Sequence, residues 1–156
     1  MRWIFVTAWC ACGAAVIVGC SSDPVTPRNF SVVEPVPSEG GLAPILKAEA
    51  AKAQKLGRRP FVEFGAAWCG PCRALKESFD DPLMQQALSG TYLIQIDVDQ
   101  WGDQLRSAGF SVEAIPVIHE INAEGKPTGR SIDAEAWVES TPAYMAPSLQ
   151  KFFNGE

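Results

Sequence analysis

The sequence has no basic run: 13 Lys and Arg stand against 18 Asp and Glu, for a formal net charge of -5. Neutralising phosphates takes clustered Lys and Arg, so a nucleic-acid partner is excluded. Histidine is nearly missing, with His119 the single example, and there is no HxxxH and only one CxxC. Two thiols alone are too few ligands for a structural metal centre, so neither a metal nor any other cofactor is expected. His119 also lacks the Ser and Asp neighbours of a nucleophilic triad. Cysteines are not spread as in a disulfide-stapled secreted domain: Cys10, Cys12 and Cys20 fall in the first stretch and only Cys69 and Cys72 in the remainder. Internal repeats are absent.

What is present reads as one ordinary globular domain, since 156 residues with 47% hydrophobic and 20% charged content can bury a single core. It is preceded by something different. After Arg2, the stretch from Trp3 to Val18 carries no charge and is too short for a comfortable membrane span, which suits a signal-peptide core. It ends in Ile17-Val18-Gly19-Cys20, which resembles the bacterial lipobox, in which the cysteine is lipidated and becomes the new N-terminus. Residues 1–19 are therefore expected to be a lipoprotein signal peptide and Cys20 the lipidation site, placing the domain in the bacterial cell envelope, facing the periplasm or the exterior. A retained transmembrane anchor and an ordinary secretory signal are the alternatives. Residues 20–41, with Pro24, Pro27, Pro35, Pro37 and the Gly40-Gly41 pair, read as a flexible tether able to reach roughly 70 Å when extended. In a rival reading, Phe30, Val32 and Val33 add an edge strand.

Residues 42–156 form the domain. Apolar residues at Leu42, Ile45, Leu46, Ala50, Ala53 and Leu56 predict an amphipathic helix closed by Gly57. The apolar run Phe61 to Ala66 predicts a buried central strand interrupted by one acid, Glu63. Helical spacing resumes from Pro71 through Cys72, Leu75 and Phe79, and Asp80-Asp81-Pro82 caps a further segment, Leu83 to Leu88. A strand over Tyr92 to Val98, a short helix over Trp101 to Ala108, a strand opening at Ile115 and a hairpin into Thr128 to Ile132 follow. Trp137 to Phe153 is a terminal helical region in which Pro142 and Pro147 are expected to force a break. Asp97 and Asp99 are read as caps of the following turn. Two βα crossovers followed by a hairpin predict an α/β fold with a central mixed sheet flanked by helices.

The chemistry sits in Trp68-Cys69-Gly70-Pro71-Cys72. A cysteine at a helix N-terminus meets free backbone N–H groups and the positive end of the dipole, which favour its thiolate, so Cys69 is the expected nucleophile. Cys72, one turn deeper, can attack a mixed disulfide formed on Cys69. Gly70 and Pro71 make the tight turn between them. Glu63 is the candidate to take the Cys72 proton, the alternative being a strand carboxylate that reaches solvent. Trp68 either shields the pair and contacts substrate or simply packs.

Phe61 to Cys72 followed by Ile115-Pro116 resembles the thioredoxin family over roughly Leu42 to Phe153. Phe79-Asp80-Asp81-Pro82 with Gln85, Ala87 and Leu88 is similar to the C-terminal thioredoxin-like domain of transmembrane thiol-disulfide interchange reductases. The resemblance implies a redox-active Cys69-Cys72 disulfide, a cis bond before Pro116, and pairing of the Ile115 backbone with an extended protein substrate. It also implies a membrane reductase as electron donor and a monomeric domain. Two positions depart from the pattern: Glu63 stands where a buried aspartate is usual, and Gln95 where many members carry a lysine. The expected activity is reduction of protein disulfides; a thiol oxidase of the same fold and a non-catalytic adaptor or holdase are the rivals.

Overall fold

The computed structural model describes residues 28–156; the expected signal peptide and Cys20 lie outside them. Eleven of its elements matter here: strand β1 (Ser31–Val33), helix α1 (Leu42–Lys55), β2 (Arg59–Gly65), α2 (Gly70–Glu77), α3 (Pro82–Ala87), β3 (Thr91–Asp97), α4 (Val98–Trp101), α5 (Gln104–Ala108), β4 (Val117–Ile121), β5 (Pro127–Asp133) and α6 (Pro142–Asn154). The strands form one sheet in the order β1-β3-β2-β4-β5. The first three run parallel, and β4 and β5 are antiparallel additions on the far side of β2. This is the expected mixed sheet, with one added edge.

Period-two alternation divides the core. Val62 and Phe64 on β2, with Ile94 and Ile96 on β3, bury one face of the sheet against Leu42, Leu46 and Ala50 of α1. Phe61, Leu93 and Ile118 bury the other face against Leu75, Met84, Met145, Leu149 and Phe153 of α2, α3 and α6. On this second face Phe61 is followed by Glu63 and Gly65, and Leu93 by Gln95 and Asp97. The face thus changes from apolar to polar towards the C-terminal ends of β2 and β3. The start of α2 lies there.

Three sequence expectations need correction. The tether was expected to run to Gly41, but Ser31–Val33 pair with Tyr92, Leu93 and Ile94, so the folded region begins before Leu42. Phe30 is the physical reason: it is buried and packs edge-on against Phe79, with ring centroids 6.3 Å apart. Second, the helix expected from Trp101 to Ala108 is two short helices. Asp97 starts α4 early by accepting hydrogen bonds from the Asp99 and Gln100 backbone N–H groups. Gly102, at φ 35°, then breaks the chain before α5. Third, Pro147 does not break α6, and Pro142 starts it. Proline inside a helix costs about 3 kcal/mol, but here its ring is exposed while Met145, Leu149, Phe152 and Phe153 anchor the helix on the core.

The edge strand is a stability element that a tether would not be. Phe30→Ala should destabilise the protein by about 3 kcal/mol in urea unfolding, whereas a substitution in a free linker leaves the midpoint unchanged.

Candidate active site

Helix α2 begins one residue after Cys69, which is its N-cap. Pro71 lies in the first turn, where its missing N–H has no intrahelical partner to lose. Gly70 borders open space, so no contact demands glycine there. Cys69 and Cys72 are joined in a disulfide, and both are buried. The Cys72 backbone N–H points at Cys69 Sγ, 3.2 Å away. That donor, and the helix end behind it, would favour a thiolate on Cys69 once the disulfide opens.

Two loops complete the surroundings of Cys69. The bond between Ile115 and Pro116 is cis. The Ile115 carbonyl oxygen lies 3.7 Å from Cys69 Sγ, and Pro116 is buried beside β4. Trp68 is 68% exposed, and its indole N–H donates to Asp99 Oδ2 at 2.8 Å. Asp99 therefore holds the tryptophan; Asp97 alone of the two supplies the cap. Trp68, Val98, Leu105, Val112 and Ile115 line an apolar depression of about 190 Å³ beside the disulfide. An extended apolar segment fits such a surface.

Behind the pair, on the Cys72 side, lies a second cavity of about 340 Å³. Cys72, Gly65, Glu63 and Gln95 contribute to its floor, with Glu34 and Lys76 also lining it. Glu63 is only 3% exposed, so its side chain does not escape to the sheet edge. One carboxylate oxygen accepts from Gln95 Nε2 at 2.9 Å. The other lies 2.7 Å from where a Gly65 Cβ would stand, and Cys72 Sγ lies 3.5 Å from the same point. Glycine at 65 therefore keeps open the space between the acid and the deeper sulfur. Any larger side chain would fill it.

Burial pushes Glu63 up from its ordinary value to about 7, against the hydrogen bond from Gln95. A carboxyl group that titrates near neutrality can both take and return a proton there. By contrast, His119 lies between Phe64 and Phe110, with ring centroids 5.7 and 5.5 Å away. Burial lowers its basicity, and it is remote in role from the sulfurs. Among the described residues, no group of three or more His, Cys, Asp or Glu side chains could hold a metal ion.

Sequence reading missed Gly65, Lys76, Glu34 and Asp99 as neighbours of the site. Gly65 was legible in principle, because it stands two residues beyond Glu63 and so on the same strand face. Glu34 was not, since its position depends on the edge strand. Because its folded pKa is raised from 4.5 to about 7, Glu63 contributes stability that is complete below about pH 4.5 and lost as pH rises through 7. Glu63→Gln should therefore match the parent protein at pH 4 and exceed it by about 3 kcal/mol at pH 8, as read by urea unfolding at both values.

A family model described as Thioredoxin matches residues 47–138. The chain is 34% identical over 85 residues to the thiol:disulfide interchange protein DsbD of Klebsiella pneumoniae, a match covering 53% of this chain and 14% of that protein. It is 30% identical over 69 residues to a thioredoxin H-type of Oryza sativa subsp. indica, covering 44% of this chain and 53% of the relative. The chain thus spans a small part of the first relative and about half of the second. Among solved structures, the disulphide isomerase of Xylella fastidiosa Temecula1 superposes with a TM-score of 0.54 at 21% identity, over 75% of this chain and 92% of that one. With its five-stranded mixed sheet, its Cys69-Cys72 disulfide at a helix start and a cis-proline loop beside it, the chain belongs to the thioredoxin family.

Proposed function

We propose that this protein reduces disulfides in other proteins by dithiol exchange, while anchored by a lipid on Cys20 in the bacterial cell envelope. The observation that carries the reaction is the shared space at Gly65, on which Cys72 Sγ and a Glu63 oxygen converge. It gives the second sulfur a route for its proton.

The cycle begins with the reduced pair. Cys69 thiolate attacks one sulfur of a substrate disulfide, and the other substrate sulfur leaves as a thiolate. Cys72 then gives its proton to the Glu63 carboxylate, through water in the cavity, and attacks Cys69 Sγ. The Cys69-Cys72 disulfide forms as the mixed disulfide breaks, and the second substrate sulfur departs. Two electrons have passed from the dithiol to the substrate, whose sulfurs take up two protons. A second dithiol protein, a membrane reductase, returns two electrons to the pair. Likeness to a bacterial thiol:disulfide interchange protein supports a donor of that class.

The direction rests on Gly70-Pro71 and on Ile115 before the proline, which resemble reducing members of the family. The envelope location rests on Arg2, the uncharged stretch from Trp3 to Val18 and the lipobox-like end at Cys20. Trp68 and the backbone of Ile115 are the substrate-facing groups, because they border Cys69.

A Cys72→Ser variant of the full chain should accumulate partner proteins joined through Cys69 and released by dithiothreitol. No such complexes from a folded, exported variant would refute the exchange role and favour an adaptor. A reduction potential near about -270 mV is expected, and one near about -120 mV would identify an oxidase instead. Cys20→Ala should move the protein from the membrane fraction to the soluble one.

A further inference from the structure

The residue opposite Glu63 on β3 is Gln95, a neutral amide. It donates to the acid but brings no charge, and its own Oε1 is buried without a partner. On the other side β4 places Ile118 opposite Glu63. The sheet therefore supplies the buried acid with no cation from either neighbouring strand.

Cations reach the cavity from α2. Arg73 and Lys76 both line it, together with Glu34 from the segment after β1 and Asp97 at the end of β3. The Asp97 carboxylate is engaged in capping α4. Lys76 follows Cys72 by four residues and so shares its helix face. Its ammonium group is held by Glu34 Oε1 at 2.5 Å, a contact that ties the helical wall of the cavity to the N-terminal segment. Both side chains are more than half exposed, so the pair adds little to stability. Its consequence is electrostatic.

We propose that Lys76 is a positioning cation that favours the carboxylate form of Glu63, and that Glu34 holds this cation and partly cancels it. A positive charge over the cavity favours the carboxylate, and a negative one disfavours it. The directions agree: burial raises Glu63 most, the Gln95 hydrogen bond opposes it, then Lys76 lowers it and Glu34 raises it. The segment read from sequence as a tether thus contributes a charge to the cavity behind the reactive disulfide.

The inference concerns Glu63's ionisation, and rests on the exchange mechanism only for its effect on turnover. Carbon-13 NMR titration of the Glu63 carboxyl in the oxidised full chain reads the first directly. Lys76→Met should raise the midpoint by roughly half a pH unit, Lys76→Arg should leave it near the parent value, and Glu34→Gln should lower it. Unchanged midpoints in both Lys76→Met and Glu34→Gln would overturn the proposal. The pH profile for resolving a mixed disulfide on Cys69 should shift in the same directions, and Glu63→Gln should abolish both shifts. A moved NMR midpoint with an unmoved profile would retain Lys76 as the partner of Glu63 and refute Glu63 as the proton acceptor.

Discussion

A strand paired on both edges and covered on both faces gives a polar side chain little access to water. Strand β2 is in that position, between β3 and β4, and Glu63 is the fifth of its seven residues. The cost of desolvating this carboxyl group shapes its neighbourhood. One oxygen is satisfied by Gln95, glycine rather than a larger residue stands two positions on, and the remaining oxygen faces a cavity instead of hydrocarbon. Moving Glu63 one residue along β2 would turn it into the mainly apolar packing of Val62 and Phe64 against α1. The register of the central strand therefore decides whether the acid has any function available to it.

The disulfide depends on the same register. Because β2 ends at Gly65, the chain turns through Ala66 to Trp68 and starts α2 with Cys69 at its N-cap. Cys72 then lies over the polar end of the sheet face, while Leu75 and Phe79 continue over its apolar end. One helix thus carries the reactive pair at its start and the core at its finish, and the division along the helix matches that along the strands beneath it.

Much of this was legible from residue order. The apolar run Phe61 to Ala66 marked the central strand with Glu63 as its one acid, and Asp81-Pro82 marked the start of α3. What escaped depended on contacts between distant segments. Three residues of β1 are too few to show a period, so an edge strand from Phe30, Val32 and Val33 stood only as the rival to a linker until Phe30 meets Phe79. Pro147 carries a local signal for a break, but five buried side chains of α6 outweigh it. Asp99 looks like a cap in sequence because Trp68, its partner, is 31 residues away.

The direction of β1 has a further consequence. It runs parallel to β3, with Ser31 level with Tyr92, whereas Gly65 and the turn to Cys69 are level with Asp97. Five residue steps separate those levels, about 16 Å along the strands. The chain therefore joins the sheet near the pole opposite the disulfide. The entry at Arg28 to Ser31 therefore leaves the sulfur-bearing end of the sheet to β2, β3 and the turns that follow them.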